Sequence, residues 1–363
     1  MILKGIALQY FRNYINEAFE FSKPITIIVG PNGAGKTSIL EGIHLLSTGL
    51  SFRAKKIEEM IYFDKELARV KGKIKDFRDN ENGVKRDSQL IELEIMLTRG
   101  LVQGKKTRKT HLMVNQVKRL RKNFVKHFYS VVFRPEDMRL IEGSPARRRS
   151  YLDSPLITLN YKYYSAHKTY QQVLRKRNKL LQLIRENKQP RTTLSYWTMQ
   201  LIKNGEYLQK NRQLYVNHIN QQEFALPFKL EYLPSVISSK RMEQYSDKEI
   251  IVGHTLIGPH KDDFIIRFGL VKDRSLAEYG SRGQQRLGVV WLKMAELSYL
   301  EKETGTKAVF LLDDVFSELD SKSREIVTDM MAKNQTIITT TSTRVVEFIK
   351  KKKIDLELIS IPS

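Results

Sequence analysis

Cysteine is absent from this sequence of 363 residues. Its absence excludes disulfides, thiolate metal sites and cysteine nucleophiles, and it is typical of a protein in a reducing compartment. Long apolar runs are also missing, since no stretch approaches the roughly 18 residues that span a bilayer. The N-terminus, MILKGIALQYFRNY, alternates and carries charge early, unlike a signal peptide. We therefore expect a soluble, cytoplasmic protein with no membrane partner.

Acidic residues are scarce relative to basic ones. The chain has 40 Asp and Glu against 63 Lys and Arg, a formal net charge of +23. The apolar share of 41% still supports a globular core, so the excess charge must be accommodated at the surface. A surplus of this size favours polyanionic partners, with nucleic acid first and an anionic membrane surface second.

The segment GPNGAGKTS, Gly30 to Ser38, fits the phosphate-binding P-loop pattern GxxxxGK[ST]. It lies between the β-branched run ITIIV and the helix-patterned SILEGIHLL, which is the strand–loop–helix context that the motif requires. Backbone N–H groups must turn inward around a phosphate, and we expect a Cβ to block that approach at Gly33 and Gly35. Lys36 is predicted to reach the β- and γ-phosphates, and Thr37 to ligate Mg²⁺. The predicted nucleotide-binding residues here are Gly30, Asn32, Gly33, Ala34, Gly35, Lys36, Thr37 and Ser38.

A second buried strand, AVFLLDDV, ends in two carboxylates. A P-loop needs an acidic partner for magnesium at the end of such a strand, and Asp313 is the predicted metal ligand. Asp314 is predicted to polarise the attacking water, so Asp314 and Lys36 are the predicted catalytic residues. No guanine-reading NKxD pattern occurs, and we therefore predict ATP with Mg²⁺ as the cofactors.

A third segment, YGSRGQQRLG, precedes a predicted helix and could present a hydroxyl and a backbone N–H to a phosphate. One chain does not need two phosphate cradles for one ATP. The residues Ser281, Arg282, Gly283 and Gln284 resemble the signature loop of ABC-type ATPases, which closes over the nucleotide of another subunit. The segment SELD, with Ser317 and Asp320, follows the acidic strand where ABC ATPases carry their D-loop.

Several motifs in order resemble the RecF family of bacterial recombination and gap-repair ATPases. They are FRNY at Phe11–Tyr14, the P-loop segment, GLSFR at Gly49–Arg53, FRPEDMRLIEGSPARRRSYLD, GPHKDDF at Gly258–Phe264, YGSRGQQR and LLDDVFSELD. The resemblance implies that Arg12 and Asn13 lie near the nucleotide. It also implies ATP-dependent dimerisation on DNA, weak DNA-stimulated hydrolysis, and support of RecA loading and recombinational gap repair with RecO- and RecR-type partners.

The sequence departs from the ABC pattern at three places. Asp314 stands where most ABC ATPases carry glutamate, and the shorter side chain is compatible with slow hydrolysis. No Q-loop glutamine or switch histidine is found. Residues 134–137 occupy the region of the Q-loop, and Thr341 is the candidate contact for the γ-phosphate.

The predicted fold class is α/β. Strand and helix alternate at both ends of the chain, and residues 71–111 read as antiparallel strands. We predict an ABC-ATPase head, a P-loop mixed sheet with an antiparallel β subdomain, built from residues 1–146 and 250–363. Residues 147–249 are predicted to form an inserted, mainly helical lobe. No heptad pattern is long enough for a long coiled coil.

Basic residues are clustered at 105–109, 118–122, 147–149, 175–179 and 350–353. Together they favour a surface that contacts DNA through phosphates, without sequence preference, on duplexes and gap junctions. The residues 147–149 are alternatively expected to serve a lobe interface. The predicted DNA contacts are Lys105, Lys106, Arg108, Arg119, Arg121, Arg175 and Arg177.

Other functions remain open at this point. One alternative is an ABC-type nucleotide-binding subunit of a membrane transporter, although the net charge and the wide spacing of P-loop and signature oppose it. An ATP-powered nuclease of the overcoming-lysogenisation type would need a further metal-binding domain. A plain kinase would need an acceptor site and no second phosphate loop.

Overall fold

The computed structural model describes residues 1–77, 89–269, 274–352 and 354–362. Contacts within the chain define two compact units. The first unit comprises Met1–Met138 and Glu296–Ser363, and the second unit comprises Arg139–Ala295. The two ends of the chain therefore fold together, while the middle of the chain forms a body of its own.

An antiparallel sheet of six strands forms one part of the first unit. Its order is β2-β1-β4-β5-β8-β9, made by β1 (Ile2–Phe11), β2 (Tyr14–Glu20), β4 (Leu67–Asp76), β5 (Gln89–Thr98), β8 (Thr110–Val114) and β9 (Val117–Lys118). Along β4, Val70 and Ile74 are buried while Lys73 is exposed, the alternation expected of a sheet with one face on the core. A small hairpin joins β6 (Leu101–Val102) to β7 (Lys105–Lys106).

A parallel sheet of five strands carries the P-loop segment. Its order is β10-β14-β15-β3-β16, made by β3 (Ile25–Val29), β10 (Ser130–Phe133), β14 (Val309–Asp313), β15 (Thr336–Thr340) and β16 (Leu356–Ser360). The continuous apolar runs of β3, β10 and β14 are almost entirely buried, as parallel strands covered on both faces require. Four helices lie wholly within the described part of this unit: α1 (Lys36–Thr48), α2 (Arg121–Phe124), α9 (Ser321–Lys333) and α10 (Thr343–Lys351).

The second unit is mainly helical. It contains α3 (Pro145–Leu159), α4 (Tyr161–Arg185), α5 (Ser195–Asn220), α6 (Ser239–Val252), α7 (Leu276–Tyr279) and most of α8 (Arg282–Thr304), with a small antiparallel sheet of β11 (Phe228–Leu233), β12 (Asp263–Phe268) and β13 (Arg274–Ser275). Arg212 pairs with Asp153 and Asp262 at 2.8 Å each, and all three side chains are buried. This ionic network ties α3 and α5 to the segment that leads into β12.

The unit boundaries differ from the predicted ones. The prediction placed residues 1–146 and 250–363 in one lobe and residues 147–249 in the other. Residues 139–146 and 250–295 belong to the second unit. The reason is long-range pairing, because β12 is bonded to β11 and Asp263 forms an ion pair with Arg148 of α3 at 2.6 Å. A pattern of alternating strands and helices could not indicate these partners.

The longest helix in the described part of the chain is α5, with 26 residues. The described residues therefore contain no long coiled-coil arm. Within the same residues, no helix has both the length and the apolar composition to cross a bilayer.

Candidate nucleotide site

The loop between β3 and α1 has a backbone that only glycine adopts easily at two positions. Gly33 has φ of 86° and Gly35 has φ of 98°. A Cβ on Gly35 would come within 2.8 Å of the Asn13 and Tyr14 side-chain ends, whereas no protein atom lies within 4 Å of a Cβ on Gly33. Neighbouring side chains would therefore crowd a Cβ at position 35. At position 33 there is room for a Cβ, and the positive φ is what favours glycine.

A cavity of about 450 Å³ opens over this loop in the first unit. Lys36 is buried beneath it, with its ammonium donating to the carbonyl oxygens of Gly30 and Pro31 at 2.8 Å each. The first turn of α1 points its N–H groups toward the loop, which is the arrangement that favours an anion. Of the predicted site residues, the cavity is lined by Arg12, Asn13, Asn32, Gly33, Gly35, Lys36, Thr37, Ser38, Asp313 and Asp314.

Asp313, at the end of β14, lies against the start of α1. Its Oδ1 accepts from Thr37 Oγ1 at 2.9 Å and from Thr339 Oγ1, on the neighbouring strand, at 2.8 Å. Burial raises the pKa of Asp313, and the two threonine hydrogen bonds act against that rise. A hydroxyl and a buried carboxylate in contact are hard oxygen donors, and they fit a magnesium ion that completes its shell with water and phosphate.

Asp314 has a left-handed backbone with φ of 50°, which is unusual for a residue other than glycine. Its N–H donates to the carbonyl oxygen of Thr339 at 3.1 Å, which anchors the turn to β15. Burial raises the pKa of its carboxyl, and the nearby Lys36 ammonium acts in the opposite direction. The turn therefore holds a second carboxyl in the lining of the cavity beside Asp313.

Arg12 and Asn13 lie in the wall of the same cavity. The Arg12 guanidinium forms a bidentate pair with Glu41 of α1 at 2.7 Å, and Nη1 donates to the Glu59 carbonyl oxygen at 2.6 Å. Asn13 Nδ2 donates to the carbonyl oxygen of Ala34 at 3.4 Å, a long contact with the loop itself.

Sequence reasoning did not assign a role to four residues in or beside the site. Arg53 and Glu59 line the cavity, Glu41 holds Arg12, and Thr339 holds Asp313. The sequence pattern that could have singled out Glu41 is an acidic residue among the apolar residues of α1. Arg53 is the last residue of the GLSFR segment, to which the sequence pattern assigns no role.

The predicted signature residues begin α8 in the second unit. Ser281 N–H donates to Gln284 Oε1 at 2.8 Å, and Gln284 N–H donates to Ser281 Oγ at 3.3 Å. This reciprocal pair of hydrogen bonds is a capping box. Ser281 and Arg282 are exposed at the positive end of a helix of 23 residues. Gly283, in the same turn, is half-buried.

The D-loop segment SELD leads into α9. Asp320 is the N-cap residue of that helix, and its Oδ1 accepts from Ser323 N–H at 2.8 Å. Ser317 lies in the short 3₁₀ turn Val315–Glu318, and its side chain lies outside the described part of the structure.

The region assigned to the Q-loop lies after β10. Arg134 packs over the Phe52 ring, and its Nη1 donates to the Phe52 carbonyl oxygen at 3.1 Å. Arg134 and Glu136 both affect the pKa of Asp313 electrostatically, the arginine lowering it and the glutamate raising it. Thr341, the candidate γ-phosphate contact, is exposed just beyond the end of β15.

The basic residues predicted to contact DNA differ in exposure. Lys105, Lys106, Arg108, Arg119 and Arg175 are exposed, while Arg121 is half-buried with Nε donating to the Thr48 carbonyl oxygen at 2.9 Å. Arg177 is only 3% exposed and is bonded to Glu249, Thr255 and Thr198, so its prediction as a DNA contact is wrong. A guanidinium that is buried and paired cannot reach a phosphate.

Two other basic clusters differ in how their side chains are placed. Arg148 pairs with Asp263, and Arg149 Nη1 donates to the Asp262 carbonyl oxygen at 2.9 Å, so both serve the interior of the second unit. In the cluster at 350–353, Lys350, Lys351 and Lys352 are exposed near the end of α10. Lys353 lies outside the described residues.

The model of the RecF/RecN/SMC N-terminal domain matches residues 2–356 of this chain. The DNA replication and repair protein RecF of Lachnoclostridium phytofermentans is 33% identical over 365 residues, covering 97% of this chain and 95% of that protein. The protein of the same name from Oceanobacillus iheyensis is 32% identical and covers 94% of each chain.

A solved structure of the recombination mediator protein RecF with ATP, in the RecFOR pathway, superposes with a TM-score of 0.80. It is 30% identical and the match covers 94% of this chain and 92% of that one. The fold is thus the α/β head of ABC-type ATPases related to the SMC proteins. From the family model and these full-length relatives, the chain belongs to the RecF family of DNA replication and repair proteins.

Proposed function

We propose that this protein is an ATP-dependent DNA-binding clamp of the RecF type. ATP binding would drive head-to-head dimerisation on DNA, and slow hydrolysis would release the dimer. The observation that carries the proposal is the convergence of the P-loop, the Asp313–Asp314 turn and Arg12 on one cavity of about 450 Å³. The relatives' association with DNA replication and repair favours this reading over the transporter alternative.

Magnesium would be held by Thr37 and Asp313, whose oxygens already meet at 2.9 Å. The ion would supply charge neutralisation to the triphosphate. Lys36 would bind the β- and γ-phosphate oxygens, while N–H groups of residues 33–38 would surround the phosphates. Asp314, held by β15, would orient and deprotonate the attacking water. The Asp314 side chain is shorter than the glutamate of most ABC ATPases, which suits slow hydrolysis that sets how long the dimer lasts.

Ser281 is proposed to act on the nucleotide of a second copy. Ser281 and Arg282 are exposed at the start of α8, so that the Ser281 hydroxyl and the N-terminal end of this helix could close over a γ-phosphate held by the partner's P-loop. Asp320, which caps α9, would keep the D-loop in shape for the same interface. The ATP-dependent homodimer follows from these two half-sites.

We propose that the protein binds DNA through the sugar–phosphate backbone of the DNA alone, on either duplexes or gap junctions. The supporting observations are the net charge of +23 and the exposed cations Lys105, Lys106, Arg108, Arg119 and Arg175. Binding should therefore weaken steeply with salt and show no sequence preference. The RecFOR pathway named for the solved relative supports RecO- and RecR-type partners. We further propose, from the family resemblance, that the protein helps to load RecA in the cytoplasm.

The test of this function measures ATP binding, ATP hydrolysis and, by sedimentation, dimerisation of two variants. Lys36→Arg should keep ATP binding but lose hydrolysis, because the charge remains while the shape of the donor changes. Ser281→Arg should bind ATP normally and fail to dimerise. Unaltered turnover by Lys36→Arg would contradict the nucleotide site, and an ATP-dependent dimer of Ser281→Arg would contradict the shared-site mechanism.

A further inference from the structure

Helix α1 carries a fully buried acid. The Glu41 side chain is 0% exposed, among the apolar residues Ile39, Leu40 and Ile43 of the same helix. An ionised carboxylate in such surroundings is costly unless donors satisfy its oxygens. The hydrogen-bond donors around Glu41 therefore determine whether the buried carboxylate is stable.

Two segments of the cavity wall meet at this carboxylate. Arg12 Nε donates to Oε2 and Arg12 Nη2 donates to Oε1, each at 2.7 Å. Ser51 Oγ donates to Oε1 from the other side. The same Ser51 oxygen accepts the backbone N–H groups of Arg53 at 2.9 Å and Ala54 at 2.7 Å.

We propose that Glu41 is a positioning residue, which fixes Arg12 and Arg53 in the wall of the nucleotide cavity that both residues line. The inference rests on the proposed nucleotide site. Within the described part of the chain, Arg12 uses three of its five N–H groups on Glu41 and on the Glu59 carbonyl oxygen, which leaves two for a ligand. Its plane is thereby set before any nucleotide enters.

The bond pattern requires a carboxylate at this position. Glutamine has the same shape, but in either orientation its amide nitrogen would place donors against an Arg12 donor, which is Nε at one position and Nη2 at the other. Glu41→Gln should therefore release Arg12 while changing little of the packing volume. Because the Arg12–Glu41 pair is neutral as a whole, its contribution to ATP binding would come from geometry, more than from added charge.

A double-mutant cycle tests the inference by measuring dissociation constants for a fluorescent ATP analogue with Mg²⁺. Arg12→Ala and Glu41→Gln should each weaken binding about tenfold or more, the loss expected for a hydrogen bond to a charged group. The double variant should be no weaker than the weaker single variant, because Glu41 acts through Arg12. Additive losses, or unchanged affinity of Glu41→Gln, would overturn the proposal.

Ser51→Ala provides a second route that leaves the Arg12–Glu41 pair intact. It should weaken binding of the analogue about threefold, and combining it with Arg53→Ala should add nothing further. If Glu41→Gln does not fold, this second cycle decides, and additivity there overturns the proposal. Lys36→Ala is the reference. Loss of binding in Lys36→Ala and Arg12→Ala but not in Glu41→Gln refutes only the positioning role, whereas no loss in any of them refutes the nucleotide site itself.

Discussion

Arg177→Ala is expected to destabilise the second unit strongly. Arg177 Nη2 donates to Glu249 Oε2 at 2.7 Å, and the side chains are 3% and 0% exposed. Removing the guanidinium leaves a buried carboxylate whose other oxygen still accepts the Leu256 N–H at 2.8 Å. Breaking a buried pair in this way costs about 3–5 kcal/mol. For a unit of this size, that corresponds to a fall in melting temperature of roughly 6–20 °C.

Arg175→Ala is the matched control, two residues earlier on α4. Arg175 is exposed, and its Nε donates to the Gln171 carbonyl oxygen of its own helix at 3.2 Å. Its loss should change stability by no more than about 0.5 kcal/mol. Scanning calorimetry measures both variants. The double replacement Arg177→Met with Glu249→Leu should recover most of the loss, because no buried charge remains. Equal melting temperatures of Arg177→Ala and Arg175→Ala would refute a stabilising role of the buried Arg177–Glu249 pair.

Three further predictions concern the loop, the pH dependence and the catalytic turn. Gly35→Ala should cost about 2–4 kcal/mol, and Gly33→Ala about 1–2 kcal/mol, because both require a left-handed backbone while only Gly35 is also crowded; equal losses in chemical denaturation would contradict this difference. Burial lowers the pKa of His260 from 6.5 to about 4, so its neutral form stabilises the fold fully above pH 6.5 and progressively less toward pH 4. The melting temperature of the protein relative to His260→Gln should therefore fall over that range, and a constant difference would argue against a buried neutral imidazole. Asp314→Asn should accumulate an ATP-bound dimer in sedimentation experiments, and a monomer would argue against Asp314 as the base.

Local patterns were enough to predict the elements that carry the site. The run ITIIV became β3, and the helix after the glycines became α1, because a short β-branched run before glycine favours a buried strand and apolar residues at helical spacing favour a helix. The acidic strand likewise ended at Asp313 as predicted. These features depend on residues that are neighbours in sequence, so a sequence pattern contains them.

Features that depend on distant partners were not predictable in the same way. Arg177 was grouped with an exposed basic cluster, but its acid partner lies 72 positions away on α6. Strand β16 was not identified, since its pairing with β3 joins segments more than 300 residues apart. The role of Glu41 depends on segments on both sides of the P-loop. In each case a tertiary contact, absent from the local pattern, determines what the residue does.

We propose that ATP gates dimerisation of the protein on DNA. Sedimentation of the protein with duplex DNA, in the presence of no nucleotide, ADP or ATP with Mg²⁺, tests it most directly. We expect a dimer on DNA only with ATP, and we expect Ser281→Arg to lose this dimer. A monomer that is indifferent to nucleotide would contradict the clamp mechanism, even if ATP still bound to the P-loop.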